Sequence, residues 1–567
     1  MTGTTRTPPV FPDEFNLADY LLFDRVREGR GDRVALRFGE RSWTYAEVAE
    51  RSRAVARALA AAGVPREHRV YIVLPDAPPF AWALFGTLAH GAVVAMGNPH
   101  SPIADLEYVV HYSRAAALVT TPQVATALAP VLLASPHLRA VLLVPDVPTG
   151  GDCEDGPAVP AALDGARIPI VPLAGAIDEQ RGSSEPLVAT RRDDVCIWLF
   201  TSGSTGKPKA NVHTHRDFAF NTEVYAKGTV GYRADDVTVS VPRLFFGYAT
   251  GTNLFFPFAV GAASALFAER PTPESVAGAI ARYRPTVVTN VPTMMGKLLD
   301  HDAERAARGE PPLDLSSIRF HLSAGEALPP ALLERFMARF GSDVYDGIGS
   351  AEMFHIYASN RPGDIRAGSL GRVVDGYEIQ ILAQDAPGPG APPLPAGETG
   401  VMWVRGDSVA LGYFQDRDKS WQTFHGHWCR TGDLFRVDGD GYLWFSGRAD
   451  DLFKAGGVFV APVEVEDCLI QHPAVGLAAV VPVEREGLIK PVAYVMLREE
   501  ERARAAGEEG RARLAAELED HCVARLSRHK VPRRFVFVDD LPRNDRGKVD
   551  RRALQRLEAA AVEGAGG

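Results

Sequence analysis

The chain has 567 residues, 46% of them apolar, too long for one ordinary core and long enough for two or more domains. Its 61 basic and 71 acidic residues give a formal net charge of −10, which argues against nonspecific nucleic-acid binding but allows a local basic site for an anionic ligand. Five cysteines without a CxxC pair make neither a disulfide framework nor a zinc ribbon, and they imply a reducing cytosol.

The N-terminal stretch MTGTTRTPPVFPDEFN is polar and proline-rich, without the apolar core of a signal peptide. Val48, Val55 and Leu59, set among arginines and glutamates, predict an amphipathic helix over 46–62. Short β-branched runs follow at 70–75, 117–121 and 141–145, with helical-looking stretches between them. Residues 146–190, rich in Pro, Gly and Asp, read as a surface excursion or domain join. Further strand-like runs stand at 196–201, 237–242, 286–292 and 320–325. This alternation predicts an α/β fold, with parallel-rich sheets flanked by helices. The apolar run 254–268 contains Pro257, is short for a membrane span and reads as buried core. From about 365 short strands with glycine turns predict a small, mainly antiparallel β lobe reaching about 449. Residues 450–567 read as a small α+β domain, with a charged helix near 500–528 and a last strand at FVFVDD. The expected division is therefore a large N-terminal domain, 1–449, and a small C-terminal domain, 450–567.

The sharpest local feature is TSGSTGKPKA, residues 201–210, after an apolar strand and before a helical stretch. Glycines let the backbone approach an anion, hydroxyls add donors and lysine adds charge. A plain hydrophilic turn does not require that combination. The GxxxxGK[ST] spacing is absent, which disfavours a P-loop kinase or GTPase.

The loop resembles the signature of adenylate-forming enzymes, a superfamily of acyl- and aryl-CoA ligases, carrier-loading adenylation domains and luciferases. SAGEAL (323–328), YDGIGSAE (345–352), CRTGDLF (429–435), GRADDLFKAGG (448–457) and PRNDRGK (542–548) follow in the family's order, so the resemblance covers nearly the whole chain. It implies a two-step reaction. A carboxylate attacks the α-phosphate of ATP, giving an acyl-adenylate and pyrophosphate, and a thiol then attacks the adenylate. Both steps concentrate negative charge, so the site needs cations and fixed donors.

By the same resemblance Thr201, Ser202, Gly203, Ser204, Thr205, Gly206 and Lys209 hold the β- and γ-phosphates. Gly325, Glu326 and Ala327 line the adenine pocket with Asp346, Gly347 and Ile348, Asp346 receiving the adenine amino group. Glu352 helps to hold Mg²⁺, a hard ion suited to carboxylate and phosphate oxygens. Asp433 accepts from the ribose hydroxyls with help from Arg448. Lys548 serves the first half-reaction at the α-phosphate and carboxylate; its PRNDRGK context also has the form at which bacterial relatives are acetylated, which would remove its charge. The small domain is expected to swing about Asp450, bringing Lys454 into the thioester step, while Gly456 and Gly457 admit a phosphopantetheine arm.

Some residues depart from the family pattern. Ile348 stands where an aromatic is usual and can pack on adenine without stacking. Ala351 replaces a threonine, a lost contact on the order of 1 kcal/mol unless Ser350 compensates. Ala210 replaces a glycine at a position read as peripheral.

Residues 244–252 (LFFGYATGT) and 353–360 (MFHIYASN) match the family's acid pocket and look most like benzoate-CoA ligases and close aryl relatives. Phe246, Tyr248, Ala249, Gly349, Ser350, His355 and Ile356 are expected to form a flat, largely apolar slot for a benzene ring. Tyr248 and His355 leave room for a hydroxy- or amino-benzoate. No aspartate lies between Leu244 and Thr252 to pair an amine, which disfavours α-amino acids. The pairs His213/His215 and His425/His427 lack companion ligands at metal spacing and read as structural. The sequence thus reads as an ATP- and Mg²⁺-dependent aryl-CoA ligase, a cytoplasmic monomer or homodimer without nucleic-acid or membrane partners. A stand-alone enzyme loading an aryl group onto a carrier protein is the main alternative. Aryl-type pocket residues disfavour a luciferase-like oxygenase. Intact Lys209, Glu352, Asp433 and Lys548 disfavour a pseudoenzyme.

Overall fold

The helix expected over 46–62 runs Tyr45–Ala61. Thr44 and Glu47 start it reciprocally: the Thr44 hydroxyl accepts the Glu47 amide and the Glu47 carboxylate accepts the Thr44 amide. The structure, a computed structural model, describes residues 8–182, 188–202, 207–455, 458–485, 488–542 and 549–564.

The β-branched runs become strands because both of their faces are covered. Val93–Met96, Ala117–Thr120 and Ala140–Leu143 are buried at every position. With Arg69–Val73 they lie in an eight-stranded sheet. Its parallel part runs in the order Val195–Ser202, Val93–Met96, Arg69–Val73, Ala117–Thr120, Ala140–Leu143, Ile170–Pro172. Beyond Val195–Ser202, Pro208–Thr214 and then Gly412–Tyr413 add antiparallel strands. Ile170–Pro172 falls inside the stretch expected as a surface excursion; three residues are too few to show a period, and the strand is legible only through its pairing.

A nine-stranded sheet holds six parallel strands in the order Asp343–Gly349, Phe320–Ser323, Val287–Asn290, Val237–Ser240, Ala263–Leu266, Val34–Phe38. Antiparallel strands close both edges: Arg41–Thr44 on one, Ile356–Ser359 and Arg372–Val373 on the other. The apolar run 254–268 supplies the end of a widened helical turn, the helix Phe256–Val260 and the strand Ala263–Leu266. Among the described residues no helix is long and apolar enough to cross a membrane.

Short strands follow at Glu378–Leu382, Gly400–Arg405, Trp428–Val437 and Leu443–Arg448, where the β lobe was expected. The small C-terminal domain is α+β. Val475–Arg485 pairs antiparallel with Leu488–Leu497, which pairs parallel with the last strand, Arg534–Val538. Helices Pro462–Ile470 and Gly507–Val523 contribute Val465, Leu469, Leu514 and Leu518 to its core. By internal contacts the chain divides into two compact units, one of residues 1–380, 403–430 and 441–443, the other of 381–402, 431–440 and 444–567. All five cysteines are buried, and no disulfide joins any of them.

Candidate active site

Ligands of open parallel sheets bind beyond the carboxyl ends of the strands. In the first unit those ends lead into the segments singled out above. Phe320–Ser323 runs into Gly325–Ala327, Asp343–Gly349 into the turn Ala351–Met353, and Val237–Ser240 toward Leu244–Thr252. Val195–Ser202 ends at the glycine- and hydroxyl-rich loop expected to meet phosphate. Gly203, Ser204, Thr205, Gly206, Gly456, Gly457 and Lys548 lie outside the described residues, as do the side chains of Ser202, Asp450 and Lys454.

Thr201 pairs in register with Lys209, and its hydroxyl is buried with no hydrogen-bond partner among the described residues. The Lys209 ammonium stands 3.7 Å from the centre of the Tyr413 ring. The Tyr413 hydroxyl donates to Glu352 Oε1 at 2.8 Å. Burial first, then the Glu352 charge, pushes the Tyr413 phenol well above its usual range. The turn that carries Glu352 is held at three successive carbonyls. Ala351 O accepts from His213 Nε2 (2.6 Å), Glu352 O from the Ala410 amide (2.9 Å), and Met353 O from the Ser408 hydroxyl (2.9 Å). His213 Nδ1 lies 2.9 Å from Asp217 Oδ2. His215 Nδ1 accepts the Leu17 amide at 3.0 Å, and burial pulls its imidazole down to about 3. Both histidines therefore serve the fold. Ala210, read as peripheral, is a fully buried strand residue packed near Trp198.

Glu352 fits magnesium. Oε2 has no hydrogen bond among the described residues, and Mg²⁺ takes one or two carboxylates plus phosphate oxygens and water. No group of three or more His, Cys, Asp or Glu among the described residues is arranged to hold a metal by itself.

Asp346 sits beside Ser323 in the sheet. Asp346 Oδ1 and the Ser323 hydroxyl are buried without hydrogen-bond partners among the described residues. Burial pushes the Asp346 carboxyl up to about 8, with the Gly347 amide pulling the other way. Gly325 and Ala327 are exposed. The Glu326 carboxylate accepts the Thr293 amide and hydroxyl at 3.0 and 2.7 Å, so it is engaged at the start of helix Pro292–Ala307.

The expected acid-pocket residues come together from two segments. Tyr248 and Ala249 lie on a short helix, Gly247–Thr250, that continues into a widened turn, Gly251–Phe255. His355 follows Phe354, whose φ of 65° turns the chain toward that helix. The His355 ring lies 5.3 Å from Tyr248, 4.8 Å from Phe256 and 5.7 Å from Tyr225. Burial pulls its imidazole down to about 3, so it is neutral at ordinary pH. Nε2 therefore carries the proton and donates to the Tyr248 carbonyl at 3.0 Å, which leaves Nδ1 a buried acceptor without a partner. Among the described residues the Tyr248 hydroxyl and Ser350 Oγ, like His355 Nδ1, are buried without partners. Two close approaches require glycine: a Cβ on Gly251 would meet His355 Cδ2 at 2.5 Å, and one on Gly349 would meet the His355 carbonyl at 2.5 Å. Ile356 is buried, whereas Phe246 is 39% exposed, its ring 4.6 Å from Phe245.

One contributor carries no signal in the sequence. Asp76 Oδ1 accepts the Leu244 amide at 3.0 Å and Oδ2 lies 3.6 Å from Arg243, anchoring the start of the pocket segment. Burial pushes this carboxyl up to about 6, with Arg243 pulling the other way. Asp76 belongs to Pro-Asp-Ala-Pro-Pro, which by itself reads as a turn. Tyr413 is equally silent, and the sequence marks His213 only as structural, because their partners are about 60 and 140 residues away (Glu352 and Ala351).

In the second unit Asp433 accepts from Arg448 Nη1 at 2.8 Å, and its amide donates to the Thr431 hydroxyl at 3.1 Å. That pairing orients the carboxylate expected at the ribose.

Parallel strands ending in a hydroxyl-rich loop, a lysine, a clamped glutamate and a buried aspartate define a nucleotide-binding α/β protein. The chain belongs to the AMP-binding enzyme family: residues 23–414 match the AMP-binding enzyme domain and 464–548 its C-terminal domain. It is 37% identical over 555 residues to a benzoate–CoA ligase of Thauera aromatica, covering 97% of this chain and 98% of the relative. It is 33% identical over 551 residues to a 4-hydroxybenzoate–CoA/benzoate–CoA ligase of Rhodopseudomonas palustris, covering 97% and 95%. Among solved structures it resembles the anthranilate CoA ligase AuaEII in complex with anthranoyl-AMP, with a TM-score of 0.84, 33% identity and 98% and 99% of the two chains covered.

Proposed function

We infer that this protein is an ATP-dependent aryl-CoA ligase that activates a benzoate-type acid as its adenylate and passes the aryl group to coenzyme A. The observation that carries this reading is a set of buried polar atoms without hydrogen-bond partners among the described residues: Thr201 Oγ1, Ser323 Oγ, Asp346 Oδ1, Ser350 Oγ, the Tyr248 hydroxyl and His355 Nδ1. Buried polar groups are costly unless paired, and these six stand in the very motifs expected to meet nucleotide and acid. Kinship with ligases named for benzoate, hydroxybenzoate and anthranilate supports an aromatic acid.

In this reading Lys209 and the hydroxyl loop bind the phosphates, Asp346 accepts the adenine amino group and Asp433 takes the ribose. Magnesium held by Glu352 would neutralise phosphate charge. Tyr248, Ala249, Gly349 and Ile356 flank the aromatic ring, and neutral His355 offers an acceptor to a ring hydroxyl or amine. Lys548 stabilises charge during adenylation. The C-terminal domain, from about residue 450, then turns about Asp450 so that Lys454 serves the thioester step. The protein acts in the cytoplasm.

The test is pyrophosphate release over a panel of carboxylic acids, with and without coenzyme A. Release confined to benzoates with aryl-CoA as product is expected. Aryl-adenylate without transfer to coenzyme A would make a carrier protein the acceptor. Preference for a fatty or α-amino acid would overturn the pocket assignment.

A further inference from the structure

We propose that Tyr413 is a positioning residue for adenylation, holding Lys209 and Glu352 as two separate charges. The proposal rests on the reading of Lys209 as a phosphate ligand and Glu352 as the metal ligand. The three residues come from distant segments brought together at one sheet edge. Tyr413 pairs with Asn211, two residues along the strand from Lys209, and the Glu352 turn is tied to the same strand through His213. The two polar features of tyrosine are used on different partners. The ring face attracts the Lys209 ammonium, and the hydroxyl, at 2.8 Å, orients Glu352 Oε1.

A lysine and a glutamate flanking one side chain attract each other. A direct ion pair would occupy the cation meant for the phosphates and an oxygen meant for the metal. A neutral ring with a single donor attracts both groups and keeps them apart. The spacer itself is fixed: the Tyr413 amide donates to Ser420 Oγ at 2.9 Å, and the ring packs 5.2 Å from Phe424.

Two substitutions separate the features. Tyr413→Phe keeps the ring and removes the donor; Tyr413→Leu removes both. In the full-length protein, half-saturating Mg²⁺ is read from pyrophosphate release, and ATP affinity is read by calorimetry with and without Mg²⁺. Tyr413→Phe is expected to raise the Mg²⁺ requirement about tenfold, the scale of a hydrogen bond to a charged group, with metal-free ATP affinity within about twofold of the parent. Tyr413→Leu is expected to weaken metal-free ATP binding about fivefold in addition, the scale of a cation–π contact. An unchanged Mg²⁺ requirement in Tyr413→Phe, or equal metal-free affinities in the two variants, overturns the proposal. Glu352→Gln and Lys209→Ala serve as reference. If these two alter Mg²⁺ and ATP dependence while the Tyr413 variants do not, the positioning role alone falls. If they alter neither, the ligand assignments beneath it fall as well.

Discussion

Replacing His213 by leucine removes two hydrogen bonds beneath the Glu352 turn. His213 is fully buried; its Nε2 serves the Ala351 carbonyl and its Nδ1 faces Asp217, itself buried. The substitution leaves Ala351 O without its donor and Asp217 with only the Thr214 amide and hydroxyl, at 3.0 and 2.6 Å. An orphaned carbonyl costs about 1–3 kcal/mol, and breaking a buried ionisable pair about 3–5 kcal/mol. Because Asp217 keeps two donors, the expected loss is near the lower end, about 3 kcal/mol. Urea unfolding followed by tryptophan fluorescence measures it. A double-mutant cycle with Asp217→Asn isolates the pair, whose coupling is expected at about 1.5 kcal/mol or more. With the turn loosened, pyrophosphate release is expected to fall about tenfold or more, since small misplacements of a positioned group are expensive in rate. Additivity of the two substitutions within about 0.5 kcal/mol would falsify the clamp.

Three further outcomes are expected. Asp346, pushed up to about 8, carries a proton at pH 7, and an adenine amino group donating to it favours the ionised form. ATP binding at pH 7 should therefore release a proton, seen as a binding heat that changes with the ionisation enthalpy of the buffer; persistence of that dependence in Asp346→Asn would assign the proton elsewhere. His215, His321 and His355 are each held down to about 3 from an ordinary 6.5 by burial, so the folded state binds fewer protons than the unfolded state between those values. Their contribution to stability is full above pH 6.5 and is lost as pH falls toward 3, by up to about 4 kcal/mol per pH unit; a urea midpoint that stays flat from pH 6.5 to 4.5 would contradict it. Lys548→Ala should slow adenylation by at least about 10²-fold while sparing thioester formation from supplied aryl-adenylate, and Lys454→Ala should show the opposite ranking. Equal losses in both steps would remove this division of labour.

The strands most visible in the sequence are those buried on both faces. Val287–Asn290 and Phe320–Ser323 are buried at every position, and with Val195–Ser202 and Val237–Ser240 they each coincide with a strand-like run. Ile170–Pro172 was illegible because its sheet partner, not its own composition, makes it a strand. The charged helix near 500–528 was visible as one element, yet it begins as a 3-10 helix, Glu499–Ala505, and restarts as Gly507–Val523, whose first residue, Gly507, has φ 73°. In the site, Asp346 and Glu352 could be named because their motifs are contiguous. Tyr413, His213 and Asp76 could not, since each acts through a contact made only when distant segments fold together. Glu326 shows the converse: its motif was plain, but only the structure reveals its carboxylate capping a neighbouring helix.

The contact between Gly251 and His355 makes these two positions epistatic. Any side chain at 251 strikes the imidazole while residue 355 remains histidine, so every single substitution there begins with a clash. A smaller residue at 355 removes the two shortest of these contacts and leaves Phe256 Cζ, 3.1 Å from a Cβ at 251, as the remaining neighbour. Pocket shape can therefore change along an ordered path, 355 first and 251 second, whereas single substitutions of the parent at 251 meet only the clash.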